Sequence, residues 1–289
     1  MSSRSLRAIA LAGVGVPAVI WIVAFTQLPS IGANALLHPA RRRVAIAAPD
    51  GCVTRTLEGD GVTLQGWSCD ARTPRGTIVY LHGVADNRAS SVGLIQRFVP
   101  RGLRVVAFDS RGHGDSTGNA CTYGYFERDD LRPILDTAPR GPIVLIGNSL
   151  GAAVALQEAA HDARVTAIVA IAPFSDLRTI ATERAPFVFT RGTIDRAFAL
   201  AETDAHFQVD AVSPVAAARS IVVPALLVHG EADVDTPPAH SARILAALAG
   251  PKRLMLVPGL HHNDALPADV WDEIERWIAV ALENRARAV

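Results

Sequence analysis

The chain has 289 residues, enough to bury a sizeable core in one large domain, and its 28 Lys and Arg balance 28 Asp and Glu. That balance excludes the strong overall charge by which nucleic acid is held, so no nucleic-acid partner is expected. Three cysteines are too few for a disulfide scaffold, although one bridge with one thiol left over fits the count; no CxxC pair occurs, and neither a metal nor a cofactor is expected.

Arg4 and Arg7 precede an uncharged run from Ala8 to Phe25, extendable through Leu28. A bilayer core takes about 20 apolar residues and a signal-peptide core about 7–15, so the length reads as a single-pass amino-terminal membrane anchor over residues 1–28. Ala33-Asn34-Ala35 has the small-x-small form of a cleavage site, which leaves export after signal cleavage as the alternative, and a buried core helix as a third. Arg41-Arg42-Arg43 nearly balances the amino-terminal arginines, and the orientation adopted is an inside amino terminus with the main domain extracytoplasmic. Residues 29–50, with three prolines and little periodicity, read as a linker between membrane and domain.

The domain, residues 51–289, opens with "CVTRTL" and "GVTLQGWS" around the turn "EGDG", a hairpin pattern. "TIVYLHG", "RVVAFDS", "PIVLIGN", "VTAIVAIAP", "PALLVHG" and "RLMLVPG" follow as short apolar runs separated by segments of helical length. Runs apolar on both faces and alternating with helices make an α/β protein. Its central sheet is mostly parallel, with helices on both faces and an antiparallel start. The alternation lapses over about residues 174–214, read as a short cap inserted over the carboxyl edge of the sheet, with a crossover that covers nothing as the bland alternative. The last apolar-periodic segment, "PADVWDEIERWIAVALENR", is a packing helix.

Gly147-Asn148-Ser149-Leu150-Gly151 fits GxSxG between a buried strand and a small-residue helix, the context in which a sharp turn lifts a serine hydroxyl clear of the sheet. The competing reading is a helix amino-cap serine. A serine hydroxyl becomes a nucleophile only beside a base that is oriented by an acid. "VHGEADVDTPP" offers Asp233 or Asp235 after one strand, and "VPGLHHNDAL" offers His261 or His262 after another. Leu150, next after the serine and first in its helix, supplies one backbone N–H to a developing oxyanion.

The elbow, the order Ser, Asp, His and the "LHG" after an early strand resemble the α/β-hydrolase family, in particular membrane-tethered abhydrolase-domain and prolyl-oligopeptidase-like serine hydrolases. The resemblance covers most of residues 52–285. It implies Ser149 as nucleophile, Asp233 as acid and His262 as base, with Val84 giving the second oxyanion N–H and Gly147 and Gly151 as elbow glycines. This sequence has His261 where many relatives have glycine. "DSRGHGDSTG" resembles a structural turn of that family, so Asp109, His113 and Ser116 are read as scaffold and His82 as shaping its loop. The expected activity is cleavage of a carboxylic ester in a small-molecule or acylated substrate. Peptidase or thioesterase chemistry, or a non-catalytic binding module on the same scaffold, are the alternatives.

Overall fold

The computed structural model describes residues 26–287. Residues 26–37 form helix α1. Two antiparallel strands follow, β1 (Cys52–Glu58) and β2 (Thr63–Cys69), then β3 (Thr77–Leu81), α2 (Val92–Phe98), β4 (Arg104–Phe108), α3 (Glu127–Asp136), β5 (Ile143–Asn148), α4 (Leu150–Ala159) and β6 (Val165–Ile171). The chain then runs through α5 (Leu177–Glu183), α6 (Arg191–Ala205) and α7 (Pro214–Ala218) before β7 (Ala225–Gly230), α8 (Ala239–Ala247), β8 (Lys252–Val257) and α9 (Ala268–Arg287).

The strands make one sheet in the order β1-β2-β4-β3-β5-β6-β7-β8, with β1, β2 and β4 paired antiparallel and every other neighbour parallel. Each apolar run of the sequence is a strand; β3 to β7 are buried because helices cover both sides, while β8 at the sheet edge is largely exposed. Val79, Leu145 and Ile168 point to a core closed by α3, α4, α7 and α8, while Ile78, Val144 and Val169 point to one closed by α2 and α9. The bridge that the cysteine count allows joins Cys52 to Cys69, directly opposite each other in the β1–β2 ladder; Cys121 is free and buried.

The expected membrane anchor over residues 1–28, with an extracytoplasmic domain and a membrane partner, is corrected here: no helix among the described residues is long and apolar enough to cross a membrane. Residues 1–25 of that segment, and with them most of the alternative signal core, lie outside the described residues. The stretch read as linker also differs. Its first part belongs to α1, which lies on the domain: Ala33 and Leu37, one turn apart, are each 2% exposed and pack with Phe174, Leu177, Ile180 and Phe198. The end of α1 is fixed by backbone, since Leu37 O accepts the Cys121 N–H at 2.8 Å and Leu36 O accepts the Tyr123 hydroxyl at 3.0 Å. Arg41 then bonds Gly112 O and Gly118 O, which lays the arginine triplet on the domain surface.

Candidate active site

Ser149 sits at the corner between β5 and α4 with φ 50° and ψ −109°, a left-handed conformation that costs a non-glycine residue about 1–3 kcal/mol. The corner is tight because three backbones meet there. A Cβ on Gly147 would lie 2.3 Å from the Gly151 carbonyl, and one on Gly151 would lie 2.2 Å from Leu81 O at the end of β3. Ser149 N–H is held by Ile171 O at 2.8 Å, and its side chain makes no capping hydrogen bond to α4. The hydroxyl instead lies 3.0 Å from His262 Nε2.

His262 comes from the loop after β8, and its Nδ1 is 2.7 Å from Asp233 Oδ2 in the loop after β7. A carboxylate only accepts, so the ring proton resides on Nδ1 and Nε2 is left to accept from the Ser149 hydroxyl. Asp233 is itself fixed at both oxygens: Oδ1 accepts the N–H groups of Asp235 at 3.0 Å and Thr236 at 2.8 Å. Burial alone would raise its pKa, but hydrogen bonds from His229, His262 and the Thr236 N–H together hold it well below the usual carboxylate range. The site therefore keeps a negative charge beside the imidazole across all ordinary pH.

The competing neighbours have other partners. His261 is exposed, and its backbone N–H is capped by Asp264 Oδ2 at 2.8 Å, a contact that shapes the histidine loop. Asp235 offers Asp233 its backbone N–H. Asp109, His113 and Ser116 do not form a relay. Asp109 accepts the Arg88 guanidinium and the N–H groups of Arg88 and Asp115, the Ser116 hydroxyl bonds Asp109 O at 2.7 Å, and His113 Nδ1 faces Arg111 O at 2.9 Å. Burial pushes the His113 pKa down to about 4, so the ring stays neutral. His82 Nε2 accepts the Ser110 N–H at 2.9 Å and its Nδ1–H bonds Gly83 O at 2.7 Å, which locks the loop after β3 to the loop after β4.

That locked loop brings Gly83 against the hydroxyl corner, where a Cβ on it would stand 3.7 Å from Ser149 Cβ. Val84 follows, bordering the same space as Ser149 and Leu150. Leu150 opens α4, so its N–H has no acceptor within the helix. Ser149, 7% exposed, lies where two cavities meet: one of about 1110 Å³ bordered by Asp86, Glu183, Asp233, Asp235 and His262, and one of about 310 Å³ walled by apolar side chains.

Two contributions were not read from the sequence. His229 Nε2 faces two acceptors, Thr236 O at 2.7 Å and Asp233 Oδ2 at 3.2 Å, so it carries a proton toward the carboxylate, while Nδ1 accepts from Ser241. A histidine closing a fully buried strand was its signal. Arg184, after α5, clamps the same loop through Asp235 O at 2.6 Å and Thr236 Oγ1 at 2.7 Å. A further serine, histidine and carboxylate cluster, Ser175, His240 and Glu183, ties α5 to α8. Ser175 is fully buried and His240 Nδ1 accepts its backbone N–H at 3.0 Å, so the group is scaffold.

The sheet order, the elbow at its centre and the helices on both faces define an α/β-hydrolase fold. The family of that description, alpha/beta hydrolase fold, matches residues 76–207. Among curated proteins, the uncharacterized protein YfhR of Escherichia coli is 28% identical over 264 residues, 86% of each chain. A monoacylglycerol lipase of Mycolicibacterium smegmatis is 26% identical over 254 residues, 73% of this chain and 90% of the lipase. Among solved structures, an esterase of Pyrococcus furiosus superposes with a TM-score of 0.66 at 21% identity, covering 86% of this chain and 98% of the esterase.

Proposed function

We propose that the protein is a serine hydrolase that cleaves carboxylic esters by acyl transfer, with Ser149 as nucleophile, His262 as general base and acid, and Asp233 as the group that orients and stabilises the imidazolium. The observation that carries this reading is the continuous chain from Ser149 Oγ to His262 Nε2 at 3.0 Å and from His262 Nδ1 to Asp233 Oδ2 at 2.7 Å. The esterase and the monoacylglycerol lipase among the similar proteins support an ester as the bond.

In this mechanism Ser149 Oγ attacks the ester carbonyl while its proton passes to His262 Nε2. The carbonyl oxygen takes up the negative charge, and the N–H groups of Leu150 and Val84 are the proposed donors to it. Collapse of the tetrahedral species breaks the bond to the alkoxy group, which leaves as an alcohol with the proton from His262. Water then attacks the acyl-enzyme, giving its proton to His262, and the acid departs as Ser149 is restored. Asp233 stays ionised throughout.

A fluorophosphonate probe tests the reading. Labelling of the wild type, lost in Ser149→Ala, is the expected result. Absence of labelling in both would favour a binding module, and labelling with turnover of peptidyl amides or thioesters in preference to esters would reassign the bond.

A further inference from the structure

The smaller cavity is bordered by Ser149 and by α1, a segment ahead of the matched family region. Ile31, Ala35 and Leu36 of α1 line it together with Leu177 and Ile180 of α5 and Phe198 of α6. Three of its lining side chains are polar. The Tyr123 hydroxyl is engaged with Leu36 O and the Arg184 guanidinium with Asp235 O and Thr236 Oγ1, and the third is the Ser149 hydroxyl beside His262. An apolar cavity bordering the proposed nucleophile, hereafter the tube, fits a hydrocarbon chain carried on the carbonyl under attack.

The two cavities differ in chemistry. The larger one, bordered by Asp86, Glu183, Asp235 and Asp264, suits a polar alcohol and water; the smaller suits the acyl side. At ~30 Å³ for a water-sized group, its volume of about 310 Å³ holds a chain of about ten carbons. Its outer lip is apolar as well: Ile31 is 55% exposed, and Phe187, between the lining residues Pro186 and Phe189, is 99% exposed. Arg184 is the one charged side chain among the described residues that line the cavity, and its guanidinium is held by Asp235 O and Thr236 Oγ1. The wall is rigid because Ala33 and Leu37, on the buried side of α1, are packed into the cap core.

The geometry points to an acyl-chain site of which α1 is the outer wall, so that a helix ahead of the first strand sets the chain length accepted. This rests on the ester-hydrolase reading. Each methylene buried is worth roughly fourfold in binding, so medium-chain esters are preferred to acetate, and the preference levels off once the chain outruns the apolar wall that α1 provides.

The test measures kcat/KM for p-nitrophenyl acetate, hexanoate and decanoate with wild type and with Ala35→Trp, which places an indole in the tube from a residue that is itself exposed. Ile31→Trp, on the same wall, serves as a second variant. The decanoate-to-acetate ratio should fall by tenfold or more, the loss of about two buried methylenes. An unchanged ratio in both folded variants would overturn the proposal. Calorimetry of decanoate binding to Ser149→Ala, with and without Ala35→Trp, reads the tube without turnover. Binding that Ala35→Trp abolishes, in a protein that cleaves no ester, would uphold the site and remove the esterase reading. Ester cleavage with no chain-length preference and no decanoate binding would remove the site alone.

Discussion

Replacing Asp233 by asparagine separates the charge of that side chain from its shape. Its Oδ1 is gripped by two backbone N–H groups, from Asp235 at 3.0 Å and Thr236 at 2.8 Å, so an amide is forced to put its carbonyl there. The alternative orientation sets an NH2 against both donors and leaves two hydrogen bonds unmade, at about 1–3 kcal/mol each. With the carbonyl so fixed, the NH2 occupies the position of Oδ2, 2.7 Å from His262 Nδ1. The ring must then accept at Nδ1 and carry its proton on Nε2, where it can no longer take one from Ser149. Wrong tautomer and lost counter-charge together predict a fall in kcat/KM of about 10⁴, or about 5 kcal/mol of transition-state stabilisation. The assay is steady-state hydrolysis of a p-nitrophenyl ester, with urea unfolding in parallel. Asp233→Asn within tenfold of wild type, in a folded protein, would refute the argument that Asp233 sets the state of His262.

Further outcomes follow from neighbouring residues. His262→Ala should lower kcat/KM by about 10⁴ while His261→Ala changes it by less than about threefold, since only the former reaches Ser149; equal losses in ester assays would mean the loop, not the ring, is being read. Gly151→Ala forces a methyl to 2.2 Å from Leu81 O, where only backbone could yield, and should cost about 3 kcal/mol or more in urea unfolding along with all activity. Glu158, buried in α4 with Oε2 unpartnered among the described residues, has its pKa pushed by burial from 4.5 up to about 7. The folded chain thus holds that proton to higher pH than the unfolded one, and stability is lost as pH rises through this window. Glu158→Gln cannot titrate, so its stability relative to wild type should increase between about pH 4.5 and about pH 8; a pH-independent difference in urea midpoints would contradict this.

The sheet was legible because its central strands are buried on both faces, which writes them as unbroken apolar runs such as Val144 to Ile146. The elbow was legible for a steric reason: where β3, β5 and α4 touch, only glycine fits at 147 and 151, and so the sequence is constrained locally. The choice of His262 over His261 came from the resemblance alone, because periodicity does not encode the loop contacts, such as His261 N–H to Asp264 Oδ2, that accompany the placement of His262 beside Ser149. His229 was hidden for a similar reason, since its partners Thr236 and Ser241 meet it only after β7 and α8 are packed. Helix α1 was misread because its spacing of Ala33 and Leu37 adjoins a long uncharged run, and composition there outweighs pattern.

Where α1 lies also decides where this folding unit begins. A chain trimmed at the first strand would keep the hydroxyl, the imidazole and the carboxylate in register, yet Phe174, Leu177 and Phe198 would lose the helix that shields them. Such a fragment would keep its reacting groups yet expose a sticky apolar flank, so any shortened form intended for bench work must retain α1.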